Sequence, residues 1–232
     1  MSDVFVDKLS NYKFIMKMNN PTSNYIINTG IYEYNLINWC KQFLDKDKIF
    51  LDIGAHMGTY SIILSDYCKH VYSFEAQKNT YYNLCGGIAL NNKNNITAIH
   101  TALGNKEDNG TIMYLSQTSD DGGTSTMDMD VVNNTNSDIL NKYKVKVTSL
   151  DSYNLNNIGF IKIDVEGWEI NVLKGAEKTL IRNSYPQIIF EVWDDEWYIN
   201  KKNKLLEYLD DFGYNCKQIS GYSNMYIADH KI

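Results

Sequence analysis

Arginine is nearly missing from this chain: of its 22 basic residues only Arg182 carries a guanidinium, and the formal net charge is -6. Proteins that grip nucleic-acid phosphates need a basic footprint and favour the bidentate arginine fork, so the composition speaks against a DNA or RNA partner. Cysteine is sparse and scattered. Cys40, Cys68, Cys85 and Cys216 form no C-x-x-C pair, so neither a zinc site nor a disulfide framework is indicated, and reduced, mostly buried thiols are expected. No apolar run is long enough to span a bilayer, and the first residues do not read as a signal peptide. No membrane partner and a cytoplasmic location follow as expectations. Arg and Pro are scarce while Asn, Tyr, Ile and Lys abound, the bias of an AT-rich coding sequence. Asn91-Asn92 and Asn133-Asn134 therefore carry little functional weight.

What is present suits one globular domain: 232 residues, 44% hydrophobic and 22% charged. Residues 1–30 are mixed polar and aromatic, with a turn at Asn19-Asn20-Pro21, and read as an irregular or β-rich cap on a main domain of residues 31–232. Ile31 to Leu44 has the spacing of an amphipathic helix. Ile49 to Asp52, Val71 to Glu75 and Ile96 to His100 read as strands with helices between them, the β-α-β-α-β pattern of a parallel sheet covered on both faces. Further strands are expected at Thr111–Leu115, Val145–Leu150, Phe160–Asp164 and Gln187–Val192, and a closing hairpin at Tyr214–Ile219 with Met225–Asp229. Trp168, Val172, Leu173, Ala176 and Leu180 fall on one helical face, and Trp197 to Phe212 reads as another helix. The polar stretch from about Gln117 to Asn136 reads as a lid over the substrate, with a disordered insertion as the rival.

The stretch from Ile49 to Tyr60 organises the rest. A buried strand ends in Asp52, a turn carries Gly54 and Gly58, and a helix begins near Met57. Glycine lets backbone approach a ligand closely or adopt positive φ. Asp52, Glu75, Asp164 and Glu191 close four presumed parallel strands, at the end of an open α/β sheet where ligands bind. Glu75 follows Gly54 by 21 residues, the spacing at which an acid can accept both hydroxyls of a bound ribose. That fits a nicotinamide dinucleotide and S-adenosylmethionine equally. The turn separates them: G-x-G-x-x-G and G-x-x-x-x-G-K-[ST] are both absent, and an acid before the turn suits an amino-acid ammonium and repels a pyrophosphate. A dinucleotide-dependent oxidoreductase thereby becomes the lesser alternative, and a silent binding module is opposed by the four intact acids.

Asp-Ile-Gly-Ala-His-Met-Gly-Thr-Tyr-Ser (52–61), Phe-Glu-Ala (74–76), Ala-Leu-Gly (102–104), Ser-Leu-Asp (149–151), Ile-Lys-Ile-Asp-Val-Glu-Gly-Trp-Glu (161–169) and Phe-Glu-Val (190–192) resemble the ordered motifs of FkbM-type S-adenosylmethionine-dependent methyltransferases. The resemblance runs from about Tyr32 to Val192. It implies a class I methyltransferase Rossmann-like fold, α/β with a mostly parallel seven-stranded sheet in the order 3-2-1-4-5-7-6, its last strand antiparallel. It also implies O-methylation, commonly of sugar hydroxyls or of natural products. His56 and Ala76 depart from the family's usual Asn and Pro. By the resemblance, Asp52, Gly54, His56 and Gly58 line the methionine part of the cofactor, Glu75 and Ala76 lie by the ribose, and Ala102 and Leu103 flank the adenine. For His56 a turn-stabilising hydrogen bond is the competing role, and for Glu33 a solvated helix charge competes with cofactor contact.

An alcohol needs its proton removed, so Asp164 is expected beside the reacting centre with Glu166 or Glu191 as base. Lys162 and Asp164 share one side of their strand and so suit an internal ion pair, and Glu166 suits capping of the following helix. These acids could instead hold Mg²⁺. Trp168, Trp193, Trp197 and Tyr198 are candidates for packing against a carbohydrate or other small-molecule acceptor, with core packing as the alternative.

Overall fold

The computed structural model describes residues 2–7, 9–18, 21–106, 108–116, 123–135 and 139–231. The chain opens with β1 (Ser2–Val6) and β2 (Lys13–Lys17), paired antiparallel, followed by α1 (Pro21–Thr29). This helix falls where the sequence reads as irregular or β-rich. Pro21 at its first position has the fixed φ of a helix start, and Gly30 leaves it at φ 90°, the left-handed stop that glycine adopts freely. The hairpin buries Phe14 and Met16 in the same core as the helices that follow.

Next come α2 (Tyr34–Cys40), shorter than the periodicity suggests because it tightens into a 3₁₀ turn at Lys41–Phe43, then β3 (Ile49–Ile53), α3 (Thr59–Leu64), β4 (His70–Glu75), α4 (Lys78–Leu90) and β5 (Ile96–His100). Three short-range strands, β6 (Ala102–Leu103), β7 (Asp108–Ser116) and β8 (Ile139–Thr148), form a separate sheet, with α5 (Met129–Asn134) between β7 and β8. The chain then runs through β9 (Ile158–Ile163), α6 (Glu169–Lys174), α7 (Glu177–Arg182), β10 (Gln187–Glu191), α8 (Ile199–Asp211), β11 (Tyr214–Gln218) and β12 (Met225–His230).

The main sheet has seven strands in the order β5-β4-β3-β9-β10-β12-β11, and only β12 runs against its neighbours. Counted by themselves these seven give 3-2-1-4-5-7-6; the small sheet β6-β8-β7 stands outside that order. Strand alternation divides two cores across the sheet. Leu51, Ile53, Ile161 and Ile163 face α6, α7 and α8, whereas Phe50 and Phe160 face α2 and α3. The single helix expected over Trp168–Leu180 is two, broken at Gly175. A Cβ there would lie 1.9 Å from the Gly104 carbonyl oxygen, so the break lets the chain pass close to β6 while Val172, Leu173, Ala176 and Leu180 stay buried. All four cysteines are free. Among the described residues no helix is long and apolar enough to cross a membrane.

Candidate active site

The carboxyl ends of β3, β4, β9 and β10 open into one cleft of about 380 Å³. Gly54, Ala55 and His56 form its floor beyond β3; Glu75 and Ala76 follow from β4; Ala102 and Leu103 of β6 close one end. Asp164, Glu166 and Glu191 close the other. From the polar segment, Gly123, Thr124, Ser125 and Met127 also line the wall, and Thr126 Oγ1 donates to the Glu166 carbonyl. The rest of the suggested lid, 117–122 and 136, lies outside the described residues.

Two sequence-derived site residues are not in the cleft wall. Asp52 is wholly buried beneath it. The parallel register sets Asp52 beside Lys162, and both point to the α3 face, where Ser61 Oγ donates to Asp52 Oδ2. Its other oxygen, Oδ1, has no hydrogen-bond donor and sees the Lys162 ammonium from 3.7 Å. Burial pushes the Asp52 carboxyl up, against the pull of Lys162 and Ser61. Gly58 starts α3 in the left-handed region (φ 91°) with Leu84 and Ile62 crowding its Cα, so it serves the turn and the packing behind it. Gly54 does line the cleft. Its φ of 78° and an Asp164 carbonyl oxygen 1.7 Å from where a Cβ would sit both demand glycine.

Lys162 is the hub under the floor. It donates to the Gly54 carbonyl at 2.9 Å, pairs with Asp164 at 3.1 Å and lies over the Tyr60 ring at 5.2 Å. Burial alone would lower its pKa, but Asp164 and Asp52 outweigh that and hold the ammonium above its usual range. The internal Lys162–Asp164 pair expected from strand alternation is therefore present.

Glu75 faces the cleft with one backbone N–H on each oxygen: His56 donates to Oε2 at 2.8 Å and Gln77 to Oε1 at 2.7 Å. A carboxylate oxygen has a second acceptor site, so both remain able to receive a hydroxyl. Burial raises its pKa, and the Gln77 and His56 contacts oppose this. The His56 backbone, at φ 50°, thus ties the glycine turn to the neighbouring strand's acid.

At the far end, Asp164, Glu166 and Glu191 bring oxygens within 4.8 Å of one another. Glu166 and Gly167 occupy successive left-handed positions, φ 55° and 93°. The turn they make is bound by Glu169, whose Oε1 accepts from Val165 N at 3.1 Å and Gly167 N at 3.2 Å. Sequence reading offered Glu166 for capping the following helix; the N-cap position falls at Trp168, which makes no side-chain cap bond, and Glu166 lines the cleft. Burial pushes Glu191 well above the carboxylate range, and the charges of Asp164, Glu166 and Glu169 add to it; Asn224 donates to its Oε1 at 2.5 Å.

Burial likewise raises Glu169 from 4.5 to about 7, against the pull of its backbone N–H donors. A carboxyl raised by folding holds its proton more tightly in the folded state. Its stabilising contribution is complete below pH 4.5 and is lost as pH rises through about 7. Glu169→Gln keeps an acceptor for both N–H groups and removes the titration. The fall in stability between about pH 4 and pH 8 is expected to shrink by about 3 kcal/mol in this variant, read from urea midpoints. Equal pH slopes for the two proteins would contradict that environment for Glu169.

Sequence reasoning missed Tyr32, Thr59 and Tyr60, and it left Glu33 open; all four line the cleft. Glu33 is no solvated helix charge: Tyr60 donates to its Oε2 at 2.7 Å, and burial raises its pKa. The aromatic candidates are elsewhere. Trp193, Trp197 and Tyr198 pack on one another with centroids 5.1–5.8 Å apart, against the core beneath α8, and Trp168 also packs into the core. Side chains that follow a strand end need not face the ligand; these turn back to bury apolar area. At the mouth instead, Tyr32 stacks on Tyr25 with centroids 4.3 Å apart.

A family model described as "Methyltransferase FkbM domain" matches residues 52–216. Similar solved structures include a methyltransferase FkbM from Methylobacillus flagellatus KT (15% identity, 79% of this chain and 44% of that one, TM-score 0.52). Others are a Streptococcus mutans protein in complex with SAH (14%, 85% and 96%, TM-score 0.51) and TYW2 of M. jannaschii in complex with AdoMet (14%, 98% and 83%, TM-score 0.50). The chain thus spans less than half of the Methylobacillus protein's length, and at these identities the likeness is one of fold. No curated protein matches the chain.

Proposed function

Because the chain belongs to the FkbM methyltransferase family, we propose that it moves a methyl group from S-adenosylmethionine to a hydroxyl, that of a sugar in a glycan or glycoconjugate. The observation that carries the reading is the single cleft that joins the Glu75 carboxylate, free to accept ribose hydroxyls, to the acids at the ends of β9 and β10. In this reading the adenine lies against Ala102 and Leu103, the ribose on Glu75 beside Ala76, and the methionine half over Gly54, Ala55 and His56. The methyl then faces Asp164, Glu166 and Glu191.

Methyl transfer from a sulfonium is an in-line displacement, in which the acceptor oxygen forms its bond to carbon as the carbon–sulfur bond breaks. Alignment supplies much of the rate. A carboxylate takes the hydroxyl proton, and a base of raised pKa does so more effectively near neutral pH. Burial, with the charges of Asp164, Glu166 and Glu169, raises Glu191 well above the carboxylate range, which makes it the base of choice among the three acids whose oxygens lie within 4.8 Å. The same oxygens fit a hard divalent cation such as Mg²⁺, which would polarise the hydroxyl.

The walls favour an acceptor without phosphate. Glu33, Glu75, Asp164, Glu166 and Glu191 line the cleft, and the lysine among its lining residues, Lys162, is already paired. The exposed Tyr32–Tyr25 stack at the mouth offers a face to the C–H side of a sugar. Met113 and Met127 in the wall favour a non-carbohydrate hydroxyl compound as the second reading.

Transfer of labelled methyl from the cofactor to a panel of neutral sugars, sugar phosphates and phenolic alcohols tests the proposal. Label in neutral sugars is the expected result; label confined to phenolic alcohols selects the second reading, and none in any hydroxyl sinks both. A rate indifferent to EDTA excludes the cation.

A further inference from the structure

Glu33 is held in the cleft wall by more than one device. It stands at the start of α2 in the left-handed region, φ 56° and ψ 24°, an unusual conformation for a residue with a side chain. The Tyr60 hydroxyl, fixed by a ring only 4% exposed, donates to Oε2 at 2.7 Å. Burial keeps the Glu33 carboxyl above the ordinary carboxylate range although the Tyr60 bond pulls it down. Three other acids of the wall also hold partners of their own. Asp164 pairs with Lys162 at 3.1 Å, both Glu75 oxygens hold backbone N–H groups, and Glu191 Oε1 holds Asn224. Asp52, which the sequence offered for an amino-acid ammonium, is shut beneath the floor with its charge turned to Lys162.

Gly54, Ala55, His56, Glu75, Tyr60 and Glu33 line one cleft. The turn is tied to Glu75 through the His56 N–H, and Tyr60, four residues further on, is tied to Glu33. A cofactor with its ribose on Glu75 and its methionine half over the turn brings its amino-acid end toward Glu33. We propose that Glu33 receives the ammonium group of the methionine half of S-adenosylmethionine, an assignment that rests on the cofactor reading above. An ammonium there adds a contact cation to a half-buried carboxylate that already feels the Lys162 charge, and the fixed Tyr60 hydroxyl holds one of its oxygens in place. Charge-assisted hydrogen bonds of this kind are the stronger class.

Calorimetric titration with two probes separates this role from a structural one. S-adenosylhomocysteine carries the ammonium; 5′-methylthioadenosine keeps the adenosine and the sulfur without it. Glu33→Gln is expected to weaken S-adenosylhomocysteine by about tenfold or more and 5′-methylthioadenosine by less than about twofold. Equal losses for both probes, or no loss for either, overturn the assignment. If Glu33→Gln fails to fold by circular dichroism, Tyr60→Phe serves, with a loss of about threefold expected for S-adenosylhomocysteine alone; a loss without selectivity overturns the assignment. Wild-type protein that binds neither probe removes the cofactor reading, and the assignment falls with it. Wild-type protein that binds both equally removes the assignment only.

Discussion

Lys162→Met is expected to cost about 3–5 kcal/mol of stability at pH 8, the usual penalty for removing one partner of a buried ion pair. The cost comes chiefly from what is left behind. Asp52 is wholly buried, its Oδ1 has no hydrogen-bond donor, and the ammonium 3.7 Å away is the positive charge it faces. The Gly54 carbonyl also loses the donor it has at 2.9 Å. Without Lys162 the Asp52 carboxyl must take up a proton to remain buried. Burial already raises its pKa, so the penalty shrinks as pH falls toward the ordinary carboxylate range and grows as pH rises above it. Adding Asp52→Asn to Lys162→Met removes the stranded charge, and the double variant is expected to be more stable than Lys162→Met alone at pH 8. Urea midpoints for the two single variants, the double and the wild type close the cycle. A Lys162→Met protein as stable as wild type at pH 8 would show that the buried pair does not hold the floor of the cleft.

Glu191→Gln and Glu166→Gln are each expected to lower turnover by about 10²–10⁴, the range for loss of a positioned proton acceptor, with affinity for S-adenosylhomocysteine unchanged. The pH profile carries the sign. Burial and the neighbouring acids raise Glu191, so the wild-type rate is lost, as pH falls, at a higher pH than an ordinary carboxylate would dictate. Glu191→Gln removes one negative charge from the group of three. The raised group is then gone, and the residual activity should persist to lower pH than in wild type. Rates equal to wild type in both variants would clear these acids of any part in proton transfer. An unchanged acid limb in Glu191→Gln would clear Glu191 of setting it.

Local pattern carried much of the architecture and misjudged particular residues for identifiable reasons. The alternation Phe50, Asp52 on one face and Leu51, Ile53 on the other is a property of any strand, and it marked β3 and the core. It could not say which strand lies beside β3. Only the register that puts Asp52 opposite Lys162 turns that acid from a ligand for the cofactor into part of the floor. Helical periodicity over residues 168–180 survives in the buried positions, yet the helix breaks because Gly175 meets the Gly104 carbonyl, a contact from far away in the chain. Glu166 and Glu169 are both acids next to a glycine turn. The left-handed pair Glu166–Gly167 decides that Glu169 binds the backbone while Glu166 lines the cleft.

The amino-acid sequence by itself determined the run of strands and helices, the acids at or near the ends of four strands and the glycine turn between the first strand and its helix. Tertiary structure alone decided that Asp52 is sealed under Lys162, that Glu33 and Tyr60 enter the wall, and that the tryptophans turn away from it. The reason is one of range. Backbone preference and side-chain period act within a few residues, whereas solvent exposure and charge pairing depend on which distant surface each side chain meets.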